Sequence, residues 1–204
     1  MRKTKEEAEI TRQNLLKAAL AVFSRQGYNA TRLEDIADEA GVTRGAIYHH
    51  FGGKAELFNT LAGEYSSSRI TPIIESALKE GGTPLEMLCR MLVRVMEYVE
   101  IDEDFRAVTE LVLFKTENVP ELAEGMQRKI TSNRELLNYM AQFVQQGIDA
   151  GEVRADVDPL DAAIGLYGLL SGVSTLWLMD TTHFSIRERA SALIDIGIRG
   201  IAAT

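Results

Sequence analysis

Apolar residues recur every three or four positions along most of this chain, and no stretch alternates with the period of two that a strand requires. The pattern predicts helices over 6–26, 33–40, 44–50, 53–79, 84–100, 103–114, 120–149, 159–179 and 185–202. The gaps carry helix punctuation. In Gly-Gly-Thr-Pro at 81–84, Thr83 is a cap and Pro84 takes the first helical position, where a missing N–H costs nothing. Asp102 can cap the next helix. Pro120 opens another within NVPE at 118–121, and Asp158 with Pro159 repeats the device after a break at Gly151. The expected fold class is all-α.

The densest local pattern is TRLEDIADEAGVTRGAIYHHFGGK, Thr31 to Lys54. Thr31 with Glu34 three positions on reads as a capping box. Leu33, Ile36, Ala37 and Ala40 follow at helical spacing, so one face is buried. Gly41 stands where a helix end takes a left-handed residue, Val42 fills the elbow, and Thr43 can cap a second helix. In that helix Ala46, Ile47 and Phe51 face inward, leaving Arg44, Gly45, Tyr48 and His49 outside. Two short helices joined this way place one helix in the major groove of DNA; an ordinary helical hairpin inside a core has the same spacing.

GVTRGAIYHHFGGKAELF, Gly41 to Phe58, closely resembles the DNA-binding segment of TetR-type transcriptional regulators. ITRQNLLKAALAVFSRQGYNATRLEDIADEAG, from Ile10, extends the likeness through a first helix and its Gly-Tyr exit turn. The resemblance covers about the first sixty residues. It implies a helix-turn-helix DNA-binding head over 1–54 and a helical effector-binding and dimerisation body over 55–204. Phosphate contacts then give affinity and base contacts give discrimination. Thr31 and Thr43, with helix-start amides and hydroxyls, suit phosphates. Tyr48 and His49 offer donors, and Lys54 can meet a phosphate as a point charge. Arg44 is the candidate for a base edge, because its fork matches guanine O6 and N7. Gly45 costs about 1 kcal/mol against alanine in mid-helix, and its bareness lets the helix lie close to a groove wall. His50 is open between a phosphate contact and a structural hydrogen bond. His49 and His50 point about 100° apart on a helix, which disfavours a shared metal, and no cofactor is expected.

Charge sharpens this division. The formal net charge is -8, which is unusual for a DNA binder. Residues 1–54 hold nine Lys or Arg against seven Asp or Glu, and the rest holds 13 against 23. The acid excess lies outside the head, where it discourages non-specific adhesion to nucleic acid. Arg2, Lys3, Lys5 and Arg12 read either as a basic arm or as a solvated terminus. Cys89 is the only cysteine, so no intrachain disulfide is possible, and its apolar surroundings suggest a small core residue. No apolar secretion signal is seen at the N-terminus, and a cytoplasmic location is expected. Ala162 to Met179 is an 18-residue stretch without charge, but acid at both ends and its Gly, Ser and Thr content speak against a spanning helix.

In the body, RAVTELVLFKTENVPEL at 106–122 and DPLDAAIGLYGLLSGVSTLWLMD at 158–180 resemble the AcrR-like branch of the family, which represses multidrug-efflux genes. That likeness implies a small apolar effector. Candidate pocket residues are Met87, Met91, Phe114, Met126, Tyr139, Phe143 and Trp177, with Asn133 or Arg134 as polar anchors; each also suits plain core. Gly165, Gly168, Gly172, Thr175 and Met179 fall at a and d spacing, and Ala190, Leu193, Gly197 and Ile201 form a second seam. Two such helices from each of two chains make a four-helix homodimer interface, which a palindromic operator with half-sites about 34–36 Å apart demands; packing within one chain is the alternative.

The expected function is thus a ligand-responsive, sequence-specific repressor, with an activator or an effector-free architectural DNA binder as alternatives. No phosphate loop, paired-cysteine metal site or nucleophile elbow points to an enzyme.

Overall fold

The computed structural model describes residues 5–116 and 119–203. The helices are α1 (Lys5–Ala30), α2 (Leu33–Glu39), α3 (Arg44–Phe51), α4 (Lys54–Thr60), α5 (Ser66–Lys79), α6 (Pro84–Ile101), α7 (Glu103–Phe114), α8 (Ala123–Asp149), α9 (Pro159–Met179) and α10 (Ile186–Arg199). The all-α expectation holds. The long helix expected over 53–79 is interrupted by a π-helical turn at Leu61–Tyr65, and a 3-10 turn at Pro120–Leu122 precedes α8. The only extended pairing among the described residues is a single antiparallel bridge between Val153 and Ala202. Of the proposed basic arm, Arg2 and Lys3 lie outside the described residues, as do two positions of the 106–122 segment, Glu117 and Asn118.

Two compact units result: residues 1–68 with 104–127, and residues 69–103 with 128–204. This division differs from a head ending at residue 54, because α4 and the π turn bury Leu57, Phe58, Leu61 and Tyr65 in the same core as α1 to α3. The segment 104–127 adds Val108, Leu111 and Leu122 to that core.

In the first unit, an aromatic cluster sits at the centre. Phe58 meets Phe23 edge-on at 5.5 Å and Tyr28 at 5.0 Å between centroids. Gly27 (φ +74°) breaks α1 just before Tyr28, a conformation that favours glycine, and a Cβ there would lie 3.3 Å from the Lys115 carbonyl oxygen. The turn drops the Tyr28 ring into the core, where its hydroxyl donates to the Glu121 carboxylate at 2.8 Å. Burial, and then that carboxylate, push the phenol pKa well above its ordinary value, so it stays a donor.

The broken end of α1 leaves carbonyl groups that need donors. Lys115 Nζ donates to the Ser24 carbonyl at 2.9 Å. Lys54 Nζ donates to the carbonyls of Tyr28 and Thr31, each at 3.1 Å, and lies 4.3 Å from the Tyr28 ring centroid. Hydrogen bonds to a charged group contribute about 1.5–3 kcal/mol, and partial exposure of Lys54 places the expected effect at the low end. Lys54→Met, which keeps the apolar stem, should lower the thermal midpoint of this unit by several degrees in a circular-dichroism melt; an unmoved midpoint would mean that these two bonds hold nothing.

In the second unit, α6 packs along α10 and α9, burying Leu88, Met91, Leu92, Met96 and Val99. Thr83 caps its start as expected, and Glu86 completes a reciprocal box that the sequence reading does not include. Glu100 accepts from the Ser185 hydroxyl and the Arg187 N–H, tying the end of α6 to the start of α10. Asp158 caps α9 as expected, accepting from the Leu160 and Asp161 amides. Cys89, expected in the core, is half-buried, and burial raises its thiol pKa.

Candidate nucleic-acid interface

The turn between α2 and α3 has the geometry that its sequence implies. Gly41 has φ +66°. Its amide donates to the Asp38 carbonyl at 3.1 Å, and the Val42 amide donates to Ala37 at 2.9 Å, which returns the chain to start α3. Ile36, Ala37, Ile47 and Phe51 are buried in the common core, with Val42 packed against them. The opposite face of α3 presents Arg44, Gly45, Tyr48 and His49 to solvent, preceded by exposed Thr43. Thr43 is the N-cap residue, but its side chain makes no cap hydrogen bond. A Cβ on Gly45 would meet only Thr43 Oγ1, at an ordinary 3.6 Å. Packing within this chain therefore gives no reason for glycine there. The His49 and His50 rings meet edge-on at 5.2 Å.

Arg44 is 57% exposed and lies over the Tyr48 ring at 5.6 Å. Its Nη1 donates to Glu34 Oε1 at 2.5 Å. That hydrogen bond holds the Glu34 carboxyl below its ordinary pKa, so it is charged at neutral pH.

Three expectations at this face change. The cap of α2 is Arg32, one residue beyond Thr31, and its N–H donates to Asp35 at 3.1 Å; Glu34 is thereby left free for Arg44. Thr31 is buried, and its hydroxyl donates to the Gly27 carbonyl at 2.7 Å, which removes it from the surface. Lys54 closes the end of α1, with two of its three N–H groups committed. Sequence reasoning missed the Glu34 pair, although an acid and an arginine on adjacent helices of one motif were its visible signal.

The residues proposed for an effector site fall in both units. Met91, Phe143 and Trp177 are buried in the second unit, Met87 and Asn133 are half-buried, and Tyr139 is exposed with its ring edge-on to Phe143 at 5.2 Å. The Trp177 indole N–H already donates to the Phe184 carbonyl at 2.9 Å, leaving only its ring for a ligand. Phe114 and Met126 belong to the first unit and are exposed. A surface cleft of about 600 Å³ lies elsewhere, along Leu85, Cys89, Val93, Ser191 and Ile198. Its charged groups are engaged: Arg90 donates to the Ala77 and Gly81 carbonyls, and Glu152 accepts the Leu85 N–H. The cleft is open, and we give it no effector role.

The seam on α9 is uncovered. Gly165, Gly168, Gly172 and Met179 are exposed and Thr175 is half-buried. Leu160, Ile164 and Leu176, which the sequence reading did not select, enlarge the apolar surface. The α10 seam needs correction. Ala190 is fully buried, and a Cβ on Gly197 would lie 2.8 Å from Leu166 and 3.2 Å from Leu169, so both positions pack against their own chain. Leu193 and Ile201 are half-buried. The outward apolar residue of α10 is Ile196, 68% exposed. Ala190 belongs to the buried stripe Ile186, Ala190, Ile194, Ile198, so the correction falls on Ala190 and Gly197. By length and composition alone, α9 is apolar enough to cross a bilayer, but one flank of it packs on α6 and α10.

The sequence profile described as "Bacterial regulatory proteins, tetR family" matches residues 15–61, and that of the "MAATS-type transcriptional repressor, C-terminal region" matches residues 83–202. The chain belongs to the TetR family of bacterial transcriptional regulators. It is 37% identical over 196 residues to the HTH-type transcriptional regulator AcrR of Shigella flexneri, covering 96% of this chain and 91% of that protein. It is 36% identical over 203 residues to a probable acrEF/envCD operon repressor of Escherichia coli K12, covering 97% and 90%. The crystal structure of NalD, the secondary repressor of the MexAB-OprM multidrug efflux pump in Pseudomonas aeruginosa, superposes with a TM-score of 0.83 at 28% identity over 97% of this chain and 98% of NalD. TetR-family repressors are dimeric, bind operator DNA through the helix-turn-helix head and answer to small effectors, and this chain is one of them.

For this TetR-family chain, the exposed face of α9 is where a partner copy is expected. Leu176, 64% exposed, lies on this face near the end of α9. Leu176→Asp would place a charge among apolar side chains, costing several kcal/mol per interface. Sedimentation should then show monomers at concentrations where the natural protein is a dimer. An unchanged dimer would move the interface elsewhere.

Proposed function

We propose that this repressor acts in the cytoplasm on an operon for efflux or detoxification, occupying a palindromic operator with two α3 helices and leaving it when a small apolar molecule binds the body. The carrying observation is the face of α3, where Arg44, Tyr48, His49 and bare Gly45 stand free of the core while Ile47 and Phe51 hold the helix in place. Relatives named for control of the acrEF/envCD operon and of a multidrug efflux pump support the class of target. Arg44 is assigned the base edge, with Thr43, Tyr48 and His49 on phosphates. The effector site is assigned within the second unit, around Met87, Met91, Phe143 and the Trp177 ring, with Asn133 as polar anchor.

An effector releases DNA only if it binds the released state better than the DNA-bound one. Footprinting on the DNA upstream of the regulated operon should show a short palindrome protected, with protection lost on adding the effector. Thermal-shift screening with apolar drugs and dyes should find ligands that raise the midpoint and alter the emission of Trp177, the chain's one tryptophan. Diffuse protection that no ligand reverses would favour an architectural DNA binder.

A further inference from the structure

The Glu34–Arg44 pair is not needed to hold the head together. Both side chains are more than half exposed, and α2 and α3 are already fixed in one core by Ile36, Ala37, Ile47 and Phe51. Nor is Glu34 needed as a cap, because Asp35 fills that role. Yet Glu34 occupies the guanidinium that offers the fork for a base edge. A carboxylate presents two oxygens to such a fork, the same kind of two-point acceptor as guanine O6 and N7.

We propose that Glu34 is an affinity-limiting residue: an internal competitor that the duplex must displace from Arg44 before the head can seat. This rests on the reading of Arg44 as a DNA contact. In the free protein Arg44 lies between the Glu34 carboxylate and the Tyr48 ring. On DNA the guanidinium exchanges one acceptor for another, and the cost of opening the ion pair is subtracted from binding at each head. An exposed pair is weak, so the handicap is small per head, and it applies twice in a dimer. Neutralising residue 34 removes it without touching the core.

The test is a double-mutant cycle read by fluorescence anisotropy, at one fixed salt concentration, on the duplex protected in the footprint. Glu34→Gln is expected to tighten binding by about two- to thirtyfold per dimer, two pairs of ordinary exposed strength, with the thermal midpoint unchanged. In an Arg44→Ala background the same change is expected to do nothing. Equal tightening in both backgrounds would mean that Glu34 merely repels phosphates, and would overturn the proposal. Weaker binding by Glu34→Gln would also overturn it, since Glu34 would then be aiming Arg44 at the duplex. Wild-type binding to the same duplex is the control for the DNA-binding reading itself: its absence would sink that reading, whereas its presence with an unaltered Glu34→Gln affinity would sink only this one.

Discussion

Replacing Arg44 by alanine is expected to remove most discrimination between operator and unrelated duplex, while the head remains folded. One arginine fork on a guanine edge contributes about 1–3 kcal/mol of discrimination, and a dimer makes the contact twice. The Glu34 pair that no longer has to be opened returns a fraction of this. The net expectation is a loss on the order of 10²–10³-fold on the operator and a loss of only a few-fold on unrelated DNA. Because the side chain is exposed and its pairing lies outside the core, the melting midpoint should not move. Anisotropy titrations on both duplexes at the same ionic strength make the comparison. Equal losses on the two would reduce Arg44 to a phosphate contact.

Phe58→Ala is expected to have the largest effect on stability. The ring is buried and meets both Phe23 and Tyr28. Truncating a buried phenylalanine costs about 3–5 kcal/mol, set against a total of about 5–15 kcal/mol for a whole domain. For a unit of this size the midpoint should fall by ~15 °C or more, and DNA binding should fail at the temperature where the head melts. Far-UV circular dichroism during heating, with anisotropy in parallel, would show both. A midpoint within a degree or two of the natural protein would mean that the aromatic cluster is not the keystone of this unit. The result bears on where the head ends, since Phe58 lies beyond the helix-turn-helix itself.

The sequence made the regular parts legible. Helical periodicity gave the helices, and Gly41 was placed at the turn because a left-handed residue was needed there; it has φ +66°. The exposed set on α3 followed from the same periodicity. What escaped depended on partners distant in sequence. Lys54, a phosphate candidate from its neighbourhood, also serves two acceptors that local sequence hides, carbonyls 26 and 23 positions earlier. The cap of α2 slipped by one residue because Thr31 and Arg32 compete for that role, and the buried turn after Gly27 decides it by drawing in the Thr31 hydroxyl. Gly197 looked like a seam between chains because a small residue admits any close neighbour; the neighbours are Leu166 and Leu169 of its own chain. Glu34 was assigned to a cap that proved to lie one residue further on.

The way the first unit is assembled has a consequence for synthesis. The Tyr28 hydroxyl waits for Glu121, 93 positions downstream, and the Ser24 carbonyl waits for Lys115, 91 positions downstream. Translation at about 5–20 residues per second separates these partners by ~5–20 s. During that interval the nascent N-terminal helices lack the apolar cover that Val108, Leu111 and Leu122 later supply. The core beneath the helix-turn-helix is therefore closed only once residues 104–127 have emerged, and a chain stalled before residue 104 would present an open hydrophobic seam to chaperones and proteases.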